Sequence, residues 1–127
     1  MSKADYAETA VLDWLLGGAT PTRPTGRYLA LHTADPTDAG TTGELAGNGY
    51  ARQAITFDAA SGGSAANSST HTFTASGGDW GTVSHFSIWD ASTSGNCLYT
   101  GALTTSRTIA DGESGTVAAG AIVCSED

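Results

Sequence analysis

The sequence predicts a mainly β fold, an antiparallel β-sandwich or jelly-roll-like barrel that carries one N-terminal α-helix. Apolar residues recur at helical spacing within about residues 3–16. From Arg27 onward, apolar and polar residues alternate in short runs, which is typical of strands that bury one face. Clusters of Gly, Ser, Asn and Asp separate these runs, and such clusters form turns. Because the helical segment precedes the β-region instead of alternating with strands, a doubly wound α/β fold is not expected.

The predicted helix begins near Ser2 and ends at Gly17. Ser2 and Asp5 are spaced as in a capping box, in which the serine hydroxyl accepts a free backbone N–H of the first turn. Gly17 can adopt the left-handed conformation that ends many helices. The apolar face consists of Ala7, Val11, Trp14 and Leu15. Trp14 either packs on its own β-domain, which is the preferred interpretation, or contacts a neighbouring subunit.

A linker over residues 17–26 joins the helix to the β-sandwich, which is expected over residues 27–124 of a single domain, 1–127. Pro21 and Pro24 keep the linker extended. Ser61–Ser69 is interpreted as a flexible hairpin tip, and Asp111–Gly115 as the turn of another hairpin. The predicted strands are Tyr28–Thr33, Ala51–Asp58, Thr70–Thr74, Val83–Trp89, Cys97–Leu103, Thr105–Ile109 and Thr116–Cys124.

Composition restricts the partners that the protein can have. Leu, Ile, Val and Phe supply only 19 of 127 residues, so the core is thin and partner surfaces are expected to add stability. The formal net charge is −8, which makes direct nucleic-acid binding unexpected. No apolar run approaches the roughly 20 residues that span a bilayer. The N-terminus lacks the pattern of a signal peptide, so synthesis in a cytoplasm is expected.

No motif in the sequence indicates a catalytic or cofactor site. The Gly-x-Ser-x-Gly elbow, the Walker A loop and the dinucleotide fingerprint do not occur in it. His32, His71 and His85 each lie in a strand-like run without the local spacing of metal ligands. We therefore expect no enzyme, no metal and no cofactor. A carbohydrate-binding module or small glycosidase remains an alternative, in which Trp80 would be the stacking platform.

The two cysteines, Cys97 and Cys124, allow one disulfide bond. Both lie in apolar strand-like runs, and two buried thiols are the preferred interpretation. The alternative is a disulfide that forms after release from the cell. Two ligands are too few for a structural zinc ion.

The stretch Arg27–Ile55 has the most characteristic motif. It reads Arg-Tyr-Leu-Ala-Leu-His-Thr-Ala-Asp-Pro, then a polar loop, then Asn-Gly-Tyr-Ala-Arg-Gln-Ala-Ile. It resembles the small virion proteins of tailed bacteriophages that are described as tail fibre or head decoration proteins, in which this pattern opens a small β-domain. The resemblance continues through Phe73–Asp90, Asn96–Leu103, Thr108–Glu113 and Ala118–Val123.

The resemblance implies a non-enzymatic structural protein of the virion. We expect a capsid decoration or cement protein that stabilises the head lattice by binding its assembled form. The alternative is a tail fibre or baseplate-associated adaptor or receptor-facing module. A fibre shaft would show long β-repeats or coiled-coil heptads, and their absence from the sequence favours a compact shape.

The expected partners are other virion proteins, either the major capsid protein or tail proteins, and further copies of the same chain. Neither nucleic acid nor membrane is expected to bind directly. Trp80 has two interpretations, a ring that folds back on the sandwich or an anchor in an interface. The predicted contact residues are Arg27, Tyr28, Tyr50, Arg52 and Trp80.

Overall fold

The computed structural model describes residues 1–126. In that range it contains one helix, α1 (Asp5–Leu16), and nine strands. The mainly β class with one helix near the N-terminus is therefore confirmed. The strands are β1 (Ser2–Lys3), β2 (Tyr28–His32), β3 (Gln53–Ala54), β4 (Ser64–Ala66), β5 (His71–Thr74), β6 (Gly81–Trp89), β7 (Cys97–Ile109), β8 (Ser114–Val117) and β9 (Val123–Ser125).

The strands form one large and two small antiparallel sheets. The large sheet has the order β1-β7-β6-β2-β3, and the small sheets are β4-β9 and β5-β8. Phe73 of β5 shares a buried cluster with Leu31 of β2, Phe86 of β6 and Ile109 of β7. The core thus lies between the large sheet and β5-β8, which gives a sandwich-like arrangement.

Helix α1 begins later than predicted, because Ser2 and Lys3 are extended. They form β1 and pair with Thr100 and Tyr99 of β7. The N-cap is Ala4, without a side-chain hydrogen bond, so the prediction that Ser2 caps the helix is wrong. The predicted end is confirmed, since Gly17 has φ +88°. Residues 1–126 contain no helix that is long and apolar enough to cross a bilayer.

Strand β7 runs unbroken over Cys97–Ile109, so the prediction of two strands in this segment is wrong. Its pairing with β6 jumps from His85↔Ala102 to Val83↔Arg107. A single residue of β6 therefore faces four residues of β7, Leu103–Ser106, which bulge out of the ladder. The alternation of apolar and polar residues does not reveal such a bulge, because the exposed Thr and Ser residues fit one bulged strand as well as two separate strands.

The segments around the turns pair differently from the predictions. The turn at Asp111–Gly115 does not close a hairpin, since β7 pairs with β6 and β8 pairs with β5. The predicted strand Thr116–Cys124 is split between β8 and β9, and only Gln53–Ala54 of Ala51–Asp58 is a strand.

The flexibility expected of Ser61–Ser69 stays a prediction, but the segment does contain a hairpin tip, because Ser61 pairs with Ser64 and Phe57 pairs with Asn67. Its residues Ser64–Ala66 pair with Val123–Ser125. The Asn67 side chain is buried, and its amide donates to the carbonyls of Ser69 (2.8 Å) and Ala118 (3.1 Å). The Asn67 amide oxygen accepts the Ile122 N–H at 2.9 Å. This side chain adds to the backbone pairing just beyond the end of β4.

Candidate functional site

Arg52, one of the predicted contact residues, is held inside the protein. Its Nε and Nη2 donate to the Glu44 carboxylate at 2.7 and 2.9 Å. Its Nη1 donates to the carbonyls of Ala91 (3.1 Å) and Ser94 (2.9 Å). The guanidinium lies 4.0 Å from the ring centroid of Trp89. With its side chain only 8% exposed, Arg52 ties the loop before β3 to the loop after β6.

Trp80 and Tyr50 pack against each other beneath the same loop. The indole N–H of Trp80 donates to the Asn48 carbonyl at 2.9 Å, and its ring meets the Tyr50 ring edge-on at 5.8 Å. The Tyr50 hydroxyl accepts the Leu31 N–H at 3.2 Å and donates to Glu44 at 3.3 Å. Burial raises the pKa of Tyr50 far above its ordinary value. Trp80 is 6% exposed, so its ring folds back on the sandwich.

The structure therefore brings Tyr50, Arg52 and Trp80 together in one intramolecular network. Arg27 and Tyr28 are half-buried at the start of β2, where the Arg27 guanidinium donates to the Pro24 carbonyl at 3.2 Å. The contact role of these five residues stays a prediction. Tyr50, Arg52 and Trp80 offer a partner little surface.

A buried Ser–His pair lies between β2, β6 and the long loop. The Trp89 indole N–H donates to Ser87 Oγ at 2.6 Å, and Ser87 Oγ lies 2.7 Å from His32 Nε2. His32 Nδ1 is 2.7 Å from the Thr42 carbonyl. The Thr42 carbonyl requires a donor at Nδ1. Burial lowers the pKa of His32, which favours a neutral ring that accepts the Ser87 hydroxyl proton at Nε2. Both residues are fully buried, so no substrate reaches them and the pair is structural.

Metal-ligating and thiol groups are dispersed. Within residues 1–126, no three His, Cys, Asp or Glu side chains lie close enough together to hold a metal ion. Cys97 is buried at the start of β7, Cys124 is half-buried in β9, and both are free thiols. Burial raises the pKa of each thiol to about 11. At neutral pH both are therefore protonated and weakly reactive.

Among residues 1–126, the large apolar side chains with the highest exposed fractions lie at the end of helix α1. We call Leu12, Trp14, Leu15 and Leu16 the apolar knob; their exposed fractions are 57%, 67%, 65% and 80%. Full burial of such a side chain is worth about 1.5–3 kcal/mol, so covering the two-thirds that is exposed on each would contribute roughly 5 kcal/mol in total. The knob is the strongest candidate for a contact surface.

The preference for packing Trp14 on its own β-domain is wrong. Within α1 only Ala7 is buried, while Ala10 and Val11 are half-buried. The first half of the helix is anchored, since the Ala4 N–H donates to the Leu98 carbonyl and the Asp5 N–H to the Asp38 carbonyl. In the last turn, Trp14 borders an open apolar pocket that it shares with Pro21 and Leu98, and it stays mostly exposed there. Helical spacing identifies an apolar face but does not show where the surface beneath it ends.

A second feature is an open cleft of about 460 Å³ between β7 and β8, which we call the β7–β8 cleft. Its floor is apolar and includes Leu31, Phe73 and Phe86, while the bulge Leu103–Ser106 and Arg107 form one wall. Arg107 is exposed. Within residues 1–126, the salt bridges are Lys3–Glu126 and Arg52–Glu44, so Arg107 has no carboxylate partner there. No sequence signal marked this cleft, because it forms where the sheets separate.

Comparison with known proteins gives the family. No curated protein matches the chain. A family model described as podophage GP4 fiber I protein gp80 matches residues 2–125. The match includes β1, helix α1 with the apolar knob, and all the strands up to β9. The chain therefore belongs to the family of podophage GP4 fiber I proteins, which are structural components of the phage virion.

Proposed function

We propose that the protein is a non-enzymatic component of the tail fibre of a podophage, held there by contacts with other virion proteins. The observation that carries this proposal is the family match over residues 2–125, whose description names a fibre protein. The first expectation from the sequence is head decoration. The family description supports the tail-fibre alternative better. The role in the virion is thus structural, and the tail is its proposed place.

The distribution of exposed apolar residues supports a protein that is covered by neighbours. Seven large apolar side chains are exposed within residues 1–126, and five of them belong to α1. Isolated exposed apolar residues are common on monomers, whereas a contiguous group marks an interaction site. Trp14 in this group belongs to the residue type that most often dominates interface energy. Helix α1 is therefore the proposed contact element.

The buried groups support a role without catalysis. The Ser87–His32 pair is fully enclosed, so it offers no nucleophile to a substrate. The carbohydrate-binding alternative depended on Trp80 as an exposed platform, and that ring is buried and hydrogen-bonded to Asn48. Neither the Ser87–His32 pair nor the Trp80 ring is accessible to a small molecule. Protein–protein contact is therefore the function that the geometry supports best.

The position and copy number of the chain in purified virions test this proposal. Quantitative mass spectrometry should give a small number of copies per particle, and antibody labelling in electron microscopy should place them at the tail. Hundreds of copies spread over the head would overturn the fibre role and favour decoration.

A variant pair tests the contact element. Trp14→Glu combined with Leu16→Glu should strongly reduce incorporation into particles, because charge prevents burial of the knob. Val123→Glu, at an exposed apolar residue outside α1, is the matched control and should be incorporated normally. Equal incorporation of both variants would show that α1 is not the contact element.

A further inference from the structure

We propose that copies of this chain associate head to tail, with the apolar knob of one copy inserted into the β7–β8 cleft of the next. The inference rests on the proposed fibre role for its use in the virion, while the contact itself is a property of the isolated chain. This one contact would both fill the cleft and cover the knob.

The knob and the cleft belong to opposite ends of β7. Helix α1 is anchored at the first end, where the Ala4 N–H donates to the Leu98 carbonyl at 3.0 Å and β1 pairs with Tyr99 and Thr100. The cleft is lined by the other end of β7, up to Ile109. At about 3.3 Å per residue, the anchored end and the far wall of the cleft are roughly 25 Å apart. No residue of α1 lines the cleft, so the knob of the same chain leaves it open and a second copy can supply one.

The two surfaces match in size and polarity. The cleft volume of about 460 Å³ is within the range of roughly 300–1,000 Å³ that is usual for sites enclosing a ligand of several side chains' size. Its floor of Leu31, Phe73 and Phe86 is apolar. The knob offers Trp14 and two leucines on the final turn of a helix that ends at Gly17. An end-on insertion would remove apolar surface from water on both sides.

The charges match as well. The last turn of α1 contains no basic residue, so no side chain of the helix itself compensates the partial negative charge at its C-terminus. Arg23 of the linker lines a pocket with Trp14, but it forms no salt bridge with Asp13 among residues 1–126. Asp13 adds a carboxylate in that turn. Arg107 stands at the wall of the cleft without a carboxylate partner among residues 1–126. Insertion of the knob would bring this guanidinium to the negative helix end.

The same charges disfavour the obvious alternative, a symmetric pair of α1 helices. Asp5, Glu8 and Asp13 are the charged residues of α1, and all three are acidic. Pairing two such helices would bring like charges together in a chain whose net charge is already −8. A contact between two different surfaces is heterologous, and it closes into a ring or continues as a filament according to the rotation between copies. Either outcome is suitable for building a fibre.

The first experiment measures self-association of the purified full chain. Sedimentation equilibrium should show a mass that rises with concentration beyond a dimer, unless a closed ring forms. Acrylamide quenching of tryptophan fluorescence follows the knob directly, since Trp14 is 67% exposed whereas Trp80 and Trp89 are each 6% exposed. Quenching should decrease as the chains associate. A chain that stays monomeric up to about 1 mM would overturn the proposal, because its dissociation constant would exceed that of even weak contacts.

The second experiment uses one variant for each surface. Leu12→Gln with Leu16→Gln alters the knob, and Arg107→Glu alters the cleft. Each should weaken self-association at least about tenfold, with far-UV circular dichroism confirming the fold. Arg107→Lys keeps the charge and should associate nearly as the natural chain does. Val123→Gln, which changes an exposed apolar residue outside both surfaces, should leave association unchanged.

Mixing the two variants is the decisive measurement. The knob variant keeps an intact cleft and the cleft variant keeps an intact knob, so the mixture should form a one-to-one heterodimer that grows no further. If Arg107→Glu associates as the natural chain does, the knob meets another surface and the proposal is wrong. If the mixture forms no heterodimer while both variants are folded, it is wrong too. The proposed fibre role is tested separately, because its failure would appear as a different location of the chain on the virion and not as a loss of self-association.

Discussion

The Asn67 side chain should be one of the strongest single determinants of stability, and Asn67→Ala tests this. Its amide group bridges Ser69, Ala118 and Ile122 through three hydrogen bonds of 2.8, 3.1 and 2.9 Å. The backbone adds two more bonds, since the Asn67 N–H donates to the Ile122 carbonyl and the Asn67 carbonyl accepts the Gly120 N–H. The substitution removes the first three bonds and leaves the two backbone bonds in place.

The expected loss follows from which groups can reach water. Ile122 is buried, so its N–H would be left without a partner, at a cost of about 1–3 kcal/mol. Ser69 and Ala118 are exposed, and water can replace the amide at their carbonyls at a cost of roughly 0.5 kcal/mol each. We expect a total destabilisation of about 2–4 kcal/mol, which corresponds to a fall in Tm of roughly 10 °C for a chain of this size.

Urea unfolding followed by circular dichroism measures this change. The midpoint should fall while the m-value stays constant. Asn96→Ala is the matched control, because its exposed amide bonds only to Asp90, and it should cost about 0.5 kcal/mol. Asn67→Asp should be at least as destabilising as Asn67→Ala at neutral pH, since a carboxylate cannot donate to the two carbonyls. If Asn67→Ala and Asn96→Ala were equally stable, the role assigned to Asn67 would be refuted.

Three further predictions concern buried positions. Because burial lowers the pKa of His32 from 6.5 in the folded chain, the unfolded chain binds a proton at this residue at a higher pH than the folded chain does. The His32 contribution is therefore complete above pH 6.5 and is lost below it, by at most about 1.4 kcal/mol per pH unit. Arg52→Lys should cost about 2 kcal/mol in urea unfolding, because lysine cannot form the paired bonds to a carboxylate. Gly40→Ala should cost about 3 kcal/mol in the same assay, since Gly40 has φ +75° and a Cβ would overlap the Cys97 side chain.

Each of these has its own control. His32→Asn should remove the extra loss of stability below pH 6.5, and an unchanged pH profile would show that His32 is not responsible. If the Arg52→Lys variant has the same unfolding midpoint as the natural chain, the paired bonds from Arg52 to the carboxylate do not stabilise the fold as predicted. Gly47 also has a positive φ of +72° but nothing within 4 Å of its would-be Cβ. Gly47→Ala should therefore cost only about 1 kcal/mol. If Gly40→Ala cost no more than Gly47→Ala, overlap with the Cys97 side chain would be excluded as a cause.

The elements that were predicted well depend on local patterns. The helix end at Gly17 follows from glycine chemistry, and β2, β5 and β6 closely match the predicted runs Tyr28–Thr33, Thr70–Thr74 and Val83–Trp89. Burial alternates in β5, whereas Leu29–His32 of β2 and Phe86–Trp89 of β6 are buried on both faces of the large sheet. The segments that were predicted poorly, β1 and β4, are two and three residues long. They are extended because a distant strand pairs with them.

The contact residues show the same limit. Arg and Tyr beside a loop fit an interface as well as an internal network, and only the position of Glu44 and Trp89 around Arg52 separates the two. The β7–β8 cleft had no local signal, because its walls come from β7 and β8, which pair with different strands. Trp14 was recognised as either core or knob, and its 67% exposure decides this.

By itself the sequence determined the fold class, the helix, most strands of the core and the resemblance to phage virion proteins. These follow from periodicity, glycine and proline chemistry and contiguous motifs, all of which operate over a few residues. The tertiary structure alone decided which polar residues are internal, that the last turn of α1 is exposed, and that an apolar cleft stays open beside Arg107. Those properties depend on contacts between residues far apart in the chain, such as Asn67 with Ile122 and Arg52 with Ser94, and no local pattern encodes them.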